Sequence, residues 1–129
     1  MRAVIYSGGG RVLNNTLNRK LLSLAGSNPS ITYIPATYDE DPKYFKEFKK
    51  YWSFYGVKKF INFPLDKSHN ETKVDKALSS SILYFCGGNT FEFLKSLEIS
   101  GLHSKIKDAA KNGSILTGQS AGIILLTPT

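Results

Sequence analysis

The sequence predicts an α/β domain built on a doubly wound, mainly parallel sheet with helices on both faces. β-branched and aromatic runs alternate five times with segments whose apolar residues keep helical spacing. Residues 82–86 are almost continuously apolar, which is typical of a strand covered on both faces. No internal repeat or linker-like stretch divides residues 1–129. We therefore expect one domain, with parallel strands joined by right-handed crossovers.

Each predicted element has a local signal. The predicted strands are 2–6, 31–34, 59–63, 82–86 and 114–117, and the predicted helices are 12–25, 42–56, 71–79 and one or two within 90–111. Gly26 and Gly56 are the expected stops of the first two helices, because glycine adopts the left-handed conformation at a helix end at little cost. Pro35 and Pro64 close the second and third strands, because proline donates no ladder hydrogen bond. A further helix is expected just after Ser120.

The chain is basic, with a net charge of +7, and six lysines fall between Lys43 and Lys59. Such a region can attract polyanions. The aromatic residues of the same region recur on one helical face: Tyr44, Phe45, Phe48, Tyr51, Trp52 and Tyr55. Base-stacking aromatics would be exposed beside the lysines, so we favour a buried aromatic face with a solvated lysine face over nucleic-acid binding. A polyanion-binding protein remains a further alternative.

Composition indicates which cellular compartment to expect and whether to expect a bound metal. No stretch approaches the ~18 apolar residues of a membrane span, and the opening apolar run is too short for a signal peptide. The single cysteine, Cys86, ends an apolar strand, which indicates core packing and a reducing compartment. We expect a cytoplasmic protein with no membrane partner. No His, Cys and carboxylate cluster has metal-ligand spacing, so no metal is predicted.

A glycine-rich loop follows the first strand. Gly8 and Gly10 match the first two glycines of the G-x-G-x-x-G dinucleotide motif, but Leu13 stands where the third glycine belongs. The second strand ends at Pro35-Ala36-Thr37, without the acidic residue that would bind a ribose hydroxyl. We interpret the loop as a tight strand-to-helix turn, and no cofactor is predicted.

The segment Gly118-Gln119-Ser120-Ala121-Gly122 directly follows the fifth strand and matches G-x-S-x-G, the nucleophile elbow. A serine at the tip of such a sharp turn projects its hydroxyl from the surface, and the close approach of the flanking backbone favours glycine on both sides. The N–H of Ala121, at the start of the next helix, would point toward a developing oxyanion. The pattern indicates a serine nucleophile.

A second glycine pair follows the preceding strand, in the segment Gly87-Gly88-Asn89-Thr90-Phe91. Two glycines at a strand end let backbone N–H groups approach a ligand, and Asn89 or Thr90 can cap the next helix. A capped helix with a glycine start explains the same residues without a site. Two glycine-rich strand ends in adjacent crossovers, one bearing a serine, fit an oxyanion hole better.

These two motifs, about thirty residues apart, resemble those of the peptidase E and cyanophycinase family of serine peptidases, which have the class I glutamine amidotransferase-like, flavodoxin-like fold. The resemblance extends to three further segments and therefore covers the whole chain: the opening strand with its glycine loop, Tyr33–Thr37 and Gly101–Gly113. It implies that Ser120 is the nucleophile and that the N–H groups of Gly88 and Ala121 bind the oxyanion. Asn89, Thr90 and Gln119 are candidate substrate-binding residues, and the implied substrates are aspartyl dipeptides or aspartate-derived polymers.

The resemblance also implies a base, a histidine downstream of the serine. Nine residues follow Ser120 here, so we expect the base to be missing and the chain to be inactive by itself. His69 lies in a polar loop and His103 on a predicted surface helix, and neither is expected to reach Ser120. An N-terminal fragment, a shortened gene product and one half of a two-chain enzyme are all consistent with the sequence. A non-catalytic binding or assembly domain of the same fold is the alternative function.

Residues Ile123-Ile124-Leu125-Leu126 follow the elbow, and four consecutive apolar residues of a helix cannot all face the sheet. We expect them to expose apolar surface, and we expect the sheet to keep an open edge. Self-association through this segment or through that edge is therefore expected.

Overall fold

The computed structural model describes residues 2–6, 15–35, 43–86 and 90–119. The strands are β1 (Arg2–Tyr6), β2 (Ser30–Ile34), β3 (Lys59–Asn62), β4 (Ile82–Phe85) and β5 (Ile115–Gln119). The helices are α1 (Asn15–Ala25), α2 (Lys43–Ser53), α3 (Glu71–Leu78), α4 (Thr90–Ser100) and α5 (His103–Lys111). The predicted alternation of strands and helices is confirmed within the described ranges.

The five strands form one sheet in the order β1-β5-β4-β2-β3, and every neighbouring pair is parallel. The connections from β1 to β2 and from β2 to β3 run in one direction across the sheet. The connections from β3 to β4 and from β4 to β5 run in the other direction. Right-handed crossovers that reverse direction must also change face, which puts α1 and α2 on one face and α3 to α5 on the other. This is the predicted doubly wound α/β fold.

Each face of the sheet has its own core. The α1/α2 core consists of Leu21, Ile31, Trp52, Val57, Ile82, Tyr84 and Ile115. The α3–α5 core consists of Ile34, Phe63, Leu65, Val74, Ala77, Leu78, Leu83, Phe85, Phe93, Leu102, Ile106, Ala109, Ala110 and Leu116. Successive residues of β4 alternate between the two cores, since side chains of a strand alternate between its faces. All four residues of β4 are buried, as predicted for a central strand.

The aromatic face of α2 packs inward, as predicted, with one exception. Trp52 is 1% exposed, and the Phe48 ring centroid lies 4.7 Å from that of Tyr33 and 4.9 Å from that of Tyr84. The prediction is wrong for Tyr44, which is 62% exposed. Its neighbour Phe45 contacts Tyr33, and adjacent residues of a helix point about 100° apart, so Tyr44 lies beyond the margin of the packed face.

The helix stops are confirmed at two glycines. Gly26 follows α1 directly and has φ of 94°. Gly56 also has φ of 94°, but α2 ends earlier than predicted, at Ser53, and a turn joins it to Gly56. A positive φ costs a residue with a Cβ atom free energy that glycine avoids. Residues 90–111 form two helices, and Gly101 lies between them.

Two strands form the edges of the described sheet, β1 and β3. β5 lies inside the sheet, so any strand that extends it must add to β1 or β3 and not to β5. The apolar segment 123–126 lies outside the described residues. None of the described helices is long and apolar enough to span a membrane.

We predict that truncation of Ile82 destabilises the fold far more than truncation of Ile99. Ile82 is fully buried in the α1/α2 core, whereas Ile99 on α4 is 75% exposed. Ile82→Ala should lower the free energy of unfolding by about 2–5 kcal/mol, because it leaves a cavity. Ile99→Ala should change it by no more than about 0.5 kcal/mol. Urea unfolding followed by Trp52 fluorescence measures both, and equal losses would contradict the assignment of the core.

Candidate active site

The centre of the candidate site is the carboxyl end of β5. β5 pairs with β1 on one side, where Tyr6 lies opposite Gln119, and with β4 on the other, where Phe85 lies opposite Gly118. The three strands therefore end within one residue of the same level. Neighbouring strands are about 4.8 Å apart, so their three carboxyl ends lie side by side. Ligand sites of open parallel sheets lie at this edge.

Glycine-rich sequence follows β1 and β4, and the G-x-S-x-G motif spans the end of β5. Ser7–Gly10 follow β1, Gly87 and Gly88 come after the end of β4, and Ser120 is the next residue after β5. The sequence predicted the neighbourhood of β4 and β5, and the structure confirms it. The placement of β1 beside β5 was missed, because no local signal specifies which strands pair.

The predicted site residues are described only in part. The nucleophile Ser120, the two oxyanion-hole residues Gly88 and Ala121, and Asn89 lie outside the described residues. Gln119 is the last residue of β5, and Thr90 is the first residue of α4. Gly118 is buried within β5, where it pairs with both neighbouring strands.

Helix α4 contributes electrostatically to the same edge. It begins at Thr90, five residues after the last residue of β4, and it is 11 residues long. The N–H groups of its first turn have no acceptors within the helix, and the aligned peptide dipoles leave positive partial charge there. This end of the helix favours anionic groups near the end of β4.

Both histidines of the chain belong to the described residues. Neither has the contacts of a catalytic base, since His69 packs within a loop and His103 is exposed to solvent. The His69 ring stacks on Phe63 with a centroid distance of 4.2 Å, and its Nε2 lies 2.8 Å from the carbonyl oxygen of Pro64. It lies in the loop between β3 and α3, and β3 itself is three strand spacings, roughly 14 Å, from β5. His103 is exposed as the first residue of α5.

Cys86 follows β4 directly and packs partly buried against the α1/α2 core, in agreement with its predicted packing role. Its backbone N–H donates to the carbonyl oxygen of Ile34 at 3.1 Å. Burial raises the pKa of the Cys86 thiol well above its ordinary value, and hydrogen bonds with Tyr33 and the Ile34 backbone offset only part of this effect. A thiol in this state is a poor nucleophile at neutral pH.

No metal site is evident in the described ranges, where no three His, Cys, Asp or Glu side chains are grouped to hold an ion.

The lysine-rich helix α2 exposes Lys43, Lys46 and Lys50 to solvent. The Lys49 ammonium lies 4.8 Å from the centroid of the Phe45 ring, which is a cation–π arrangement.

The chain matches one protein family along nearly its whole length. The model of peptidase family S51 matches residues 3–129. A Pasteurella multocida protein described as uncharacterized peptidase PM1590 is 31% identical over 111 residues, which cover 83% of this chain and 53% of that protein. Peptidase E of Salmonella arizonae is 44% identical over 50 residues, which cover 39% of this chain and 22% of that enzyme.

Two solved structures share the fold. A candidate peptidase E from Listeria monocytogenes EGD-e superposes with a TM-score of 0.62 and 26% identity, over 80% of this chain and 53% of that one. A peptidase from an acI-B1 Actinobacterium superposes with a TM-score of 0.71 and 20% identity, over 93% of this chain and 54% of that one. The chain thus spans about half the length of these structures and of the Pasteurella relative.

We predict that Cys86 is labelled slowly by N-ethylmaleimide in the folded chain, at least tenfold more slowly than in urea. Maleimide reacts with the thiolate, and the raised pKa keeps the buried thiol protonated. The rate should stay low as the pH rises through about 8.5, where an ordinary thiol ionises. In a Cys86→Ala background, Ser104→Cys on the exposed face of α5 should react at the solvent rate. Equal rates for the two cysteines would contradict the burial of Cys86.

Proposed function

The chain belongs to peptidase family S51, and from this premise we propose that it forms the nucleophile half of a serine peptidase active site with Ser120 as the nucleophile. One observation carries the proposal. Ser120 directly follows β5, and β5 lies between two strands that each lead into glycine-rich sequence. The elbow motif therefore stands at the edge of the sheet where ligands of this fold class bind.

In the proposed reaction, Ser120 Oγ attacks the carbonyl carbon of a peptide bond while its proton passes to a base. The negative charge that develops on the carbonyl oxygen is stabilised by the N–H groups of Gly88 and Ala121. The base then returns the proton to the leaving amine as the C–N bond breaks. Water hydrolyses the resulting acyl-enzyme and regenerates the serine.

Aspartyl dipeptides or related aspartyl peptides are the proposed substrates, as the resemblance to peptidase E implies. Asn89, Thr90 and Gln119 flank the nucleophile or the proposed oxyanion hole in sequence, and we assign them to substrate contacts. The N-terminal end of α4 and the net charge of +7 both favour an acidic substrate.

The base of this reaction is proposed to come from a part of the family fold other than these residues. His69 stacks on Phe63 in the loop between β3 and α3, and His103 is exposed on α5. A general base must lie within hydrogen-bonding distance of the proton that it accepts. These 129 residues by themselves should therefore turn over peptides slowly. The alternative is a non-catalytic binding or assembly domain that keeps Ser120 without using it.

We predict that the chain alone hydrolyses an N-terminal aspartyl dipeptide no faster than its Ser120→Ala variant does. Fusion to the half of the Pasteurella relative that lies outside the match should restore turnover. In the fusion, Ser120→Ala should lower kcat by at least about 10³-fold, since loss of a triad member costs on the order of 10⁴- to 10⁶-fold. Released amine is measured by chromatography.

The matched control is Ser104→Ala, which removes an exposed hydroxyl on α5 and should leave kcat unchanged. Turnover by the chain alone that Ser120→Ala abolishes would mean that these residues hold a base. A fusion that folds but is inactive supports the binding-domain alternative, and a fusion whose activity survives Ser120→Ala rules out this nucleophile.

A further inference from the structure

The outward face of α4 carries an unusual share of the exposed apolar surface. Five large apolar side chains are exposed in the described part of the chain, and three of them lie on this helix. Phe91 is 81% exposed, Leu94 is 45% exposed and Ile99 is 75% exposed. The opposite side of the helix is anchored by Phe93, which is fully buried in the α3–α5 core.

The three side chains share one side of the helix. At about 100° per residue, Phe91, Leu94 and Ile99 fall within an arc of roughly 140°. Lys95 and Glu98 lie within the same arc, three residues apart and of opposite charge. A helix that only faced water would present mostly polar residues over this arc. We define these five residues as the α4 surface.

The α4 surface continues into a concave feature at its C-terminal end. A cavity of about 270 Å³ opens beside Ile99 and is lined by the apolar residues Leu65, Val74 and Leu102 and by polar residues of the loop before α3. Ile99 thus belongs both to the α4 surface and to a cavity of mixed polar and apolar lining. An exposed apolar patch beside a cavity of mixed lining is the kind of surface against which a polypeptide segment packs.

We propose that the α4 surface is where the half of the S51 fold that lies outside this chain packs. The chain spans 53% of the Pasteurella relative and 53–54% of the two similar structures, so each of these proteins carries a comparable length of further polypeptide. That polypeptide needs apolar surface on the present half in order to form one protein. The inference rests on family membership and not on the role of Ser120.

A second copy of the chain is a poorer occupant, for two reasons. A stable pair of separate proteins buries about 800 Å² on each partner, of which about 56–65% is apolar, and the three exposed apolar side chains of α4 supply only part of that apolar area. Each copy also carries a net charge of +7, which disfavours association. A covalently linked segment needs less area, because its effective concentration is already high.

The position of α4 links this surface to catalysis. Its first turn begins five residues beyond the last residue of β4, directly after the candidate oxyanion loop in the sequence. A base that serves Ser120 must approach the same edge of the sheet. A polypeptide docked on Phe91 and Leu94 would therefore reach the place where the base is needed.

Cysteine protection tests the proposal. In a Cys86→Ala background, Ile99→Cys should react with N-ethylmaleimide at the solvent rate in the chain alone. It should react at least tenfold more slowly in the chain fused to the unmatched half of the Pasteurella relative. Ser104→Cys, exposed on α5, should react at the same rate in both proteins. The fusion carries Ser120→Ala, so that the result does not depend on catalysis.

Three outcomes would overturn the proposal. The first is equal labelling of Ile99→Cys in the chain and in a cooperatively folding fusion. The second is protection of Ile99→Cys in the chain alone that grows with protein concentration in step with dimer formation, as measured by sedimentation velocity. This result would identify a second copy as the occupant. The third is protection in the chain alone that is independent of concentration, which assigns the cover to residues 1–129. If the fusion does not fold, cysteines are placed in the intact Pasteurella relative at the positions aligned with Ile99 and Ser104. Equal labelling rates of these two cysteines also overturn the proposal.

Discussion

The parallel pairing of β5 with both β1 and β4 is the constraint on which the rest of the structure depends. It joins the first strand of the chain to the last described one, since Arg2 lies opposite Ile115. It also brings three strand ends to one level, so that three glycine-rich segments leave the sheet at the same place. The nucleophile motif has chemical meaning only at that junction. The same five residues at an edge strand would have one neighbouring loop and not two.

The two cores hold this arrangement from opposite sides. Ile82 and Tyr84 of β4 join the α1/α2 core, and Leu83 and Phe85 join the α3–α5 core. Buried polar contacts add to the apolar packing: the Thr32 hydroxyl lies 2.7 Å from Ser80 Oγ, and the Ser114 hydroxyl donates to the carbonyl oxygen of Ser80 at 2.8 Å. These contacts lie near the amino ends of the strands. Rigid packing there leaves the carboxyl ends to carry the loops of the site, which is the usual division in such sheets.

Much of the fold could be predicted from the sequence because its signals are local. Strand runs, helical spacing and glycine stops each involve neighbouring residues, and they located every described element to within a few positions. Strand order is different: Arg2 and Ile115 are 113 residues apart, and no local pattern records their pairing. The buried Asn18 was also missed, because its 1% exposure depends on distant hydrogen-bond partners, the hydroxyls of Tyr51 on α2 and of Tyr55 in the turn after it. The assignment of Ser120 as nucleophile stays a prediction from its motif, and the sequence offers no comparable motif around His69 or His103 for a base.

The contacts of the two histidines bear on which half of the family fold would carry the catalytic base. His69 is half-buried, stacked on Phe63 and within hydrogen-bonding distance of the Pro64 carbonyl oxygen, so it serves to shape the loop between β3 and α3. His103 is exposed on α5, so neither histidine of the described residues is placed as the base that the proposed nucleophile Ser120 would need. Backbone donors and an elbow require only a rigid sheet, which one half can supply. Proton transfer requires a side chain brought within about 3 Å of the serine, and such a side chain must be carried on a surface that fits this one. We propose that the apolar face of α4, which begins just after the proposed oxyanion loop, is that surface.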